Sequence, residues 1–174
     1  MQLVTLILIM IVKPFILFDF QTADDLSNWY VVDDGVMGGR SQGVLGLSED
    51  GYALYEGKVS LENNGGFSSI RYRFKPLKVA DFKQVVLKVR GDQKRYQFRA
   101  KPSAYDRQSY ITYFDTTGEW QEIRIPMKDL YPTFRGRRLN MPNFPGQELS
   151  EIAFLIGNKK AEAFQLEIAQ IRLE

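Results

Sequence analysis

The residues best placed to do chemistry cluster at Asp33-Asp34-Gly35-Val36-Met37-Gly38-Gly39-Arg40-Ser41. Two carboxylates, a glycine-rich turn and an arginine would suit a phosphate, a hard cation or acid–base catalysis. Each of these needs more than the motif offers. A phosphate loop requires Gly-x-x-x-x-Gly-Lys-Ser/Thr opening a helix, and neither that spacing nor a helical pattern follows. Calcium wants several oxygens, and two adjacent carboxylates are not a metal site by themselves. Neighbouring side chains on an extended chain point to opposite sides, so Asp33 and Asp34 cannot easily flank one bond. The plainer expectation is a tight turn. Glycines supply positive φ, Asp34 caps backbone amides, and Arg40 pairs with Asp33 or Asp34. A second stretch, Asn63-Asn64-Gly65-Gly66-Phe67-Ser68-Ser69-Ile70-Arg71, reads as a hairpin turn feeding a strand.

The chain has neither histidine nor cysteine. Ser-His-Asp triads, Cys-His pairs, disulfides and the usual zinc sites are therefore excluded. Any catalysis would rest on carboxylate, Lys or Tyr chemistry, and no such constellation is recognisable. No catalytic residue, metal or cofactor is expected. The strand–Gly-x-Gly-x-x-Gly–helix unit of dinucleotide-binding folds is missing. A net charge of +2 gives no reason to expect nucleic acid.

Strands must do the positioning, because helical periodicity is scarce. Single helical turns are expected at Asp24–Trp29, Lys128–Tyr131 and Leu149–Glu151. Strands are expected over Phe15–Phe20, Tyr52–Leu61, Ser69–Phe74, Val85–Arg90, Arg95–Lys101, Tyr110–Phe114, Trp120–Ile125, Ile152–Ile156 and Phe164–Leu173. Turn residues separate these short segments, and 13% of the residues are aromatic, which favours strands. The pattern predicts an all-β jelly-roll sandwich with few short helical turns. Tyr131–Gly146 carries three of the seven prolines and reads as a long ordered loop.

Period-two geometry points Ile70, Tyr72 and Phe74 to one side, with Val85, Leu87, Val89, Tyr96 and Phe98 inward on their own strands. The opposite side then presents Arg71, Arg73, Lys88, Arg90, Gln97, Arg99, Glu122 and Arg124. Trp120 shares that outward parity, and Tyr113 joins it if its strand takes the same phase. If these strands are neighbours in one sheet, the face is basic. Arginine would recognise carboxylates and the aromatics would offer stacking surfaces. The competing reading is a solvated face balanced by nearby carboxylates. Arg135-Gly136-Arg137-Arg138 adds a basic cluster in the long loop.

The apolar run Leu3–Val12 is about half the length of a membrane-spanning helix, and nothing basic precedes it. A shortened export signal, a mis-set start and a buried extra strand are its three readings. A cytoplasmic location is favoured over export. The expected division is an apolar extension over 1–14 and one sandwich domain over 15–174.

Asp34-Gly35-Val36-Met37-Gly38-Gly39-Arg40-Ser41, Gly57-Lys58-Val59-Ser60-Leu61, Gly65-Gly66-Phe67 and Arg71 together resemble the complex I intermediate-associated protein 30 family. Trp120 and Phe134-Arg135-Gly136 fit the same pattern, and the resemblance runs from Phe18 to the C-terminus. It implies a galactose-binding-like jelly roll, similar to carbohydrate-binding modules. It also implies a non-catalytic, chaperone-like module. A protein partner is expected, with respiratory-complex subunits as the class the family suggests. A glycan or small anionic ligand is the alternative, and neither nucleic acid nor a stable membrane span is expected. Two roles compete for the Asp34–Ser41 motif, one in folding and one in recognition.

Overall fold

The computed structural model describes residues 13–23 and 25–174. The apolar run Leu3–Val12 lies outside the described residues. Among them the chain forms thirteen strands. They are β1 Phe15–Asp19, β2 Trp29–Asp33, β3 Gln42–Leu47, β4 Ala53–Val59, β5 Ser68–Lys78, β6 Gln84–Arg90 and β7 Arg95–Lys101. There follow β8 Ser109–Asp115, β9 Gln121–Pro126, β10 Tyr131–Phe134, β11 Arg137–Arg138, β12 Glu148–Ile156 and β13 Glu162–Leu173. Short 3-10 turns occur at Asp34–Met37, Glu62–Asn64 and Met127–Asp129.

The strands build two antiparallel sheets. One runs β3-β4-β13-β6-β9, with β1 also paired to β13. The twelve residues of β13 leave one edge long enough for β4 along Glu162–Ile168 and β1 along Gln170–Leu173. The other sheet runs β11-β10-β8-β7-β12-β5-β2. The inward residues of both sheets interlock into one apolar core, including Tyr55, Leu87, Phe98, Phe154 and Ile168. At one end Phe18 from the first sheet packs edge-on against Trp29, which stacks on Tyr72 at 4.9 Å in the second. The architecture is the all-β jelly-roll sandwich expected from the strand pattern.

Four local expectations are corrected. Within Asp24–Trp29 no helical turn is assigned among the described residues. Asp25 instead accepts hydrogen bonds from the Ser27 amide and hydroxyl, and Trp29 already begins β2. Leu149–Glu151 lies inside β12, because Leu149 is buried in the core and neighbouring strands flank that segment. A register shift between Leu149 and Glu151 interrupts the alternation there. Tyr131–Gly146 is only partly loop. Its first residues form β10 against β8, and the chain returns as β11. The turn is Arg135-Gly136, both at positive φ (48° and 74°), the backbone a two-residue hairpin demands. Finally, β3 is an unanticipated strand. Two glycines mask it, and Gly43 is needed because a β-carbon there would lie 2.2 Å from Ser68 Oγ.

Candidate ligand-binding groove

β12 lies between β5 and β7, so its outward residues form rows across three strands. Glu151 stands between Arg73 and Lys101, Ala153 between Arg71 and Arg99, and Leu155 between Ser69 and Gln97. The first row has one carboxylate for its two cations and is partly neutralised. Glu151 is 3% exposed and accepts from Arg73 Nε at 2.6 Å and from the Tyr30 hydroxyl at 3.1 Å, with Lys101 Nζ at 3.9 Å. Burial, reinforced by Glu151, raises the Tyr30 pKa. Burial pushes the Lys101 pKa down, while Glu151 pulls it back.

Beyond that row a groove of about 770 Å³ opens over the outer face of the seven-stranded sheet. Arg71, Arg99 and Leu155 lie at its floor, with Tyr113 and Ile111 on β8. The β10–β11 hairpin forms one rim through Tyr131, Phe134 and Arg138. Gly66, Phe67 and Gly157 line the groove as well. Arg71, Arg99, Lys101, Arg107, Arg135 and Arg138 all line it, and no carboxylate among the described residues does. Among the described residues neither Arg71 nor Arg99 forms an ion pair. Burial, with the Arg71 charge as the next cause, pushes the Arg99 pKa down to about 10, and Glu151 opposes this only in part. Arg99 stays charged at neutral pH, but its charge is poorly compensated.

The rings of Tyr113, Tyr131 and Phe134 each carry a guanidinium. Arg95 lies 4.2 Å from the Tyr113 centroid, Arg138 4.7 Å from Tyr131, and Arg107 and Arg135 5.0 and 5.4 Å from Phe134. An arginine stacked on a ring keeps its edge N–H groups free to meet an anion.

The glycine-rich motif supports this groove from behind. Asp34 is fully buried. It accepts the amides of Ser41 at 3.0 Å, Gly66 at 2.6 Å and Phe67 at 3.2 Å, and the Ser41 hydroxyl. Burial alone would raise its pKa, but the bonds from Ser41, Gly66 and Phe67 outweigh that and hold it below the usual carboxylate range. Gly39 and Gly65 crowd the carboxylate so closely that β-carbons there would lie 2.2 and 2.6 Å from its oxygens. Ser41 Oγ in turn accepts the Ser60 amide at 3.0 Å. Asp33 takes the Gly43 amide at 3.0 Å and the Ser68 hydroxyl, which accepts from buried Tyr55 at 2.8 Å. The clasp thus ties the starts of β3 and β5 to the end of β2 and sets the Gly66-Phe67 rim. The expectation for Arg40 is corrected: it reaches outward to Glu62 at 2.8 Å, because the aspartate oxygens already face inward donors.

The structure also divides the expected basic face. Arg71, Arg73, Gln97, Arg99 and Tyr113 lie on the seven-stranded sheet, whereas Lys88, Arg90, Glu122, Arg124 and Trp120 belong to the other side of the sandwich, on or beside β6 and β9. Alternation fixes which way a residue points within its strand, and it carries nothing about which sheet the strand joins. Of the expected residues, Gly66, Phe67, Arg71, Gln97, Arg99, Tyr113, Arg135 and Gly136 meet at the groove. Arg73 is held by Glu151 beside it. Lys101 was readable as the next step after Gln97 and Arg99. Glu151 was not, because the expected strand began at Ile152 and the residues before it read as a helical turn.

A family model described as complex I intermediate-associated protein 30 matches residues 18–168. The mitochondrial complex I intermediate-associated protein 30 of Drosophila melanogaster is 28% identical, covering 91% of this chain and 62% of that protein. That of Mus musculus is 26% identical, covering 88% of this chain and 54% of that protein. The chain thus spans only about half to three-fifths of these relatives. In structure it resembles the family 11 carbohydrate-binding module from Clostridium thermocellum, described in complex with a β-1,3-1,4-mixed-linked tetrasaccharide. That match has a TM-score of 0.68 at 15% identity and covers 94% and 96% of the two chains. The fold, the motif clasp and the extent of the sequence match agree, and the chain belongs to the complex I intermediate-associated protein 30 family.

Proposed function

We propose that this chain is a non-catalytic binding domain whose groove takes an extended acidic segment of a protein partner. One observation carries the reading: six cationic side chains and, among the described residues, no carboxylate line a groove of about 770 Å³. Such a surface favours an anionic ligand and repels a basic one. The names of the relatives point to intermediates of complex I as the class of partner. The absence of a catalytic role is supported by Asp33 and Asp34, whose oxygens are engaged by donors of the chain itself. No helix among the described residues is long and apolar enough to cross a membrane.

A glycan is the second reading, favoured by the rings of Tyr113, Tyr131 and Phe134 in the groove and by the tetrasaccharide complex of the structural neighbour. Against it, arginines already cover faces of those rings. Titration with a glutamate-rich peptide and with a mixed-linked glucan oligosaccharide separates the two. Peptide binding that weakens steeply with salt, and is lost in Arg107→Glu/Arg138→Glu, is the expected result. Salt-insensitive glucan binding with no peptide binding would replace the first reading by the second.

A further inference from the structure

Two neighbouring rows of the seven-stranded sheet each set one residue of β12 between two cations. In the first, Glu151 sits between Arg73 and Lys101, with one carboxylate oxygen towards each cation (Oε2 to Arg73, Oε1 to Lys101). Two residues on, the same strands place Arg71 and Arg99 on either side of Ala153. A methyl group stands where the neighbouring row has its anion. Strands lie about 4.8 Å apart, so the Cα atoms of Arg71 and Arg99 are roughly 10 Å apart across β12. Two arginine side chains at that spacing can converge on one small oxyanion. The recess beneath them, lined by Arg71, Arg99, Lys101, Ser109, Glu151 and Ala153 among others, has a volume of only about 10 Å³, so an oxyanion would sit above it, on the groove side of the two arginines.

We infer that a ligand carboxylate completes this row, seated above Ala153 between the Arg71 and Arg99 guanidiniums. Each guanidinium can present two N–H groups to a carboxylate, which gives a directional, charge-assisted grip. Burial first, and the Arg71 charge next, lower the Arg99 pKa, and a bound anion would offset both. The inference rests on the reading of the groove as a site for an acidic segment. It adds which carboxylate-binding position anchors that segment.

The test follows the arginine Nε–Hε resonances of the whole chain by NMR during titration with N-acetylglutamate and, separately, with a glutamate-rich peptide. Arg71 and Arg99 should move together and saturate with either probe. Ala153→Glu supplies the anion from the chain itself, so those two resonances should start displaced and no longer respond. Ala153→Gln has the same bulk without the charge and should leave them at their unliganded positions. Arg71→Gln/Arg99→Gln should weaken peptide binding by at least about tenfold. Peptide binding that moves only Arg107, Arg135 and Arg138 would overturn the inference while leaving the groove reading intact. N-acetylglutamate that moves Arg71 and Arg99 while the peptide fails to bind would support the seat and sink the acidic-segment reading. No response of the pair to either probe would overturn it outright.

Discussion

The outer faces of the two sheets present similar charged side chains, yet they differ in electrostatic outcome. On the six-stranded sheet Arg90 pairs with Glu167 and lies 5.1 Å over Trp120. Arg124 and Arg172 share Glu122 and Glu174 at 2.5 to 3.1 Å. On the seven-stranded sheet Glu151 partly neutralises one row, and among the described residues the charged side chains of the groove beside it are all cationic. The difference lies in what the adjacent strand contributes. Glu167 on β13 stands opposite Arg90 on β6, whereas Ala153 on β12 stands opposite Arg71 and Arg99. A self-satisfied face is a solvated surface, and an unsatisfied one at the floor of a groove is a site in want of an anion.

The comparison can be broken most severely through the clasp, because it sets the Gly66-Phe67 rim of the groove, while in the other sheet it touches only the start of β3 and the end of β4. Asp34→Ala strands three backbone amides and should cost about 3 kcal/mol or more of stability. The loss should be accompanied by deprotection of the Gly66 and Phe67 amides in hydrogen exchange, with β6 and β9 little changed. Uniform loss of protection across both sheets would show that the clasp does not act locally on the groove. Next in size is charge reversal. Arg71→Glu/Arg99→Glu should reduce affinity for an acidic peptide by about a hundredfold, equivalent to about 2.7 kcal/mol. Arg90→Glu/Arg124→Glu should change it less than about threefold. Equal losses from both pairs would mean that net charge rather than position governs binding.

Much of this was legible in the sequence, for reasons that can be named. Arg95–Lys101 alternates cleanly because it has one face in the core and one face out, whereas in Val85–Arg90 Val86 is buried as well and the alternation holds only from Leu87 onward. The Asp34 motif was legible as a turn with a capping aspartate, since closely spaced glycines next to a carboxylate have few other uses. Sheet membership was not legible, because strand order is set by long-range pairing that leaves no periodic trace in any one strand. The hairpin rim was hidden for a different reason. Pro132 and the Arg135-Gly136 turn read locally as loop, and only pairing with β8 makes Tyr131–Phe134 a strand. Glu151 was hidden because Leu149–Glu151 read as a helical turn and the expected strand began only at Ile152, although Glu151 shares the outward parity of Ala153 and Leu155.

A smaller effect comes from exchanging the roles of the two rows. Glu151→Ala turns the partly neutralised row into a copy of the open one, leaving Arg73 and Lys101 facing each other without an anion. The loss should be on the order of 1–2 kcal/mol, less than for a fully buried pair because Arg73 is half exposed. The same variant should gain affinity for acidic peptides, by roughly twofold to fivefold at low salt, because it adds an unneutralised pair. Stability measured in chloride and affinity measured by titration check both halves. Lower stability with unchanged affinity would show that an unneutralised row is not sufficient to recruit an anion.

The smallest effect is in acid, and it tests whether the self-satisfied face owes its neutrality to its carboxylates. The hydrogen bond from Arg172 holds Glu122 below its ordinary value of 4.5, and the bonds from Arg124 and Arg172 do the same for Glu174. A carboxylate depressed in the folded state contributes stability above its unfolded pKa. That contribution is lost as pH falls through the folded value. The wild type should therefore lose stability from about pH 4.5 downward, and Glu122→Gln/Glu174→Gln should lose less over the same window while starting lower at neutral pH. The difference should be under about 1 kcal/mol, because the pairs are partly exposed and screened. Asp34 is depressed too, but it is common to both proteins and cancels in the difference. As Glu122 and Glu174 protonate, Arg124 and Arg172 lose their partners, and sulfate should begin to bind the six-stranded face while its binding to the groove stays as it was. Sulfate binding there that is indifferent to pH would mean that the ion pairs were never what kept that face closed to anions.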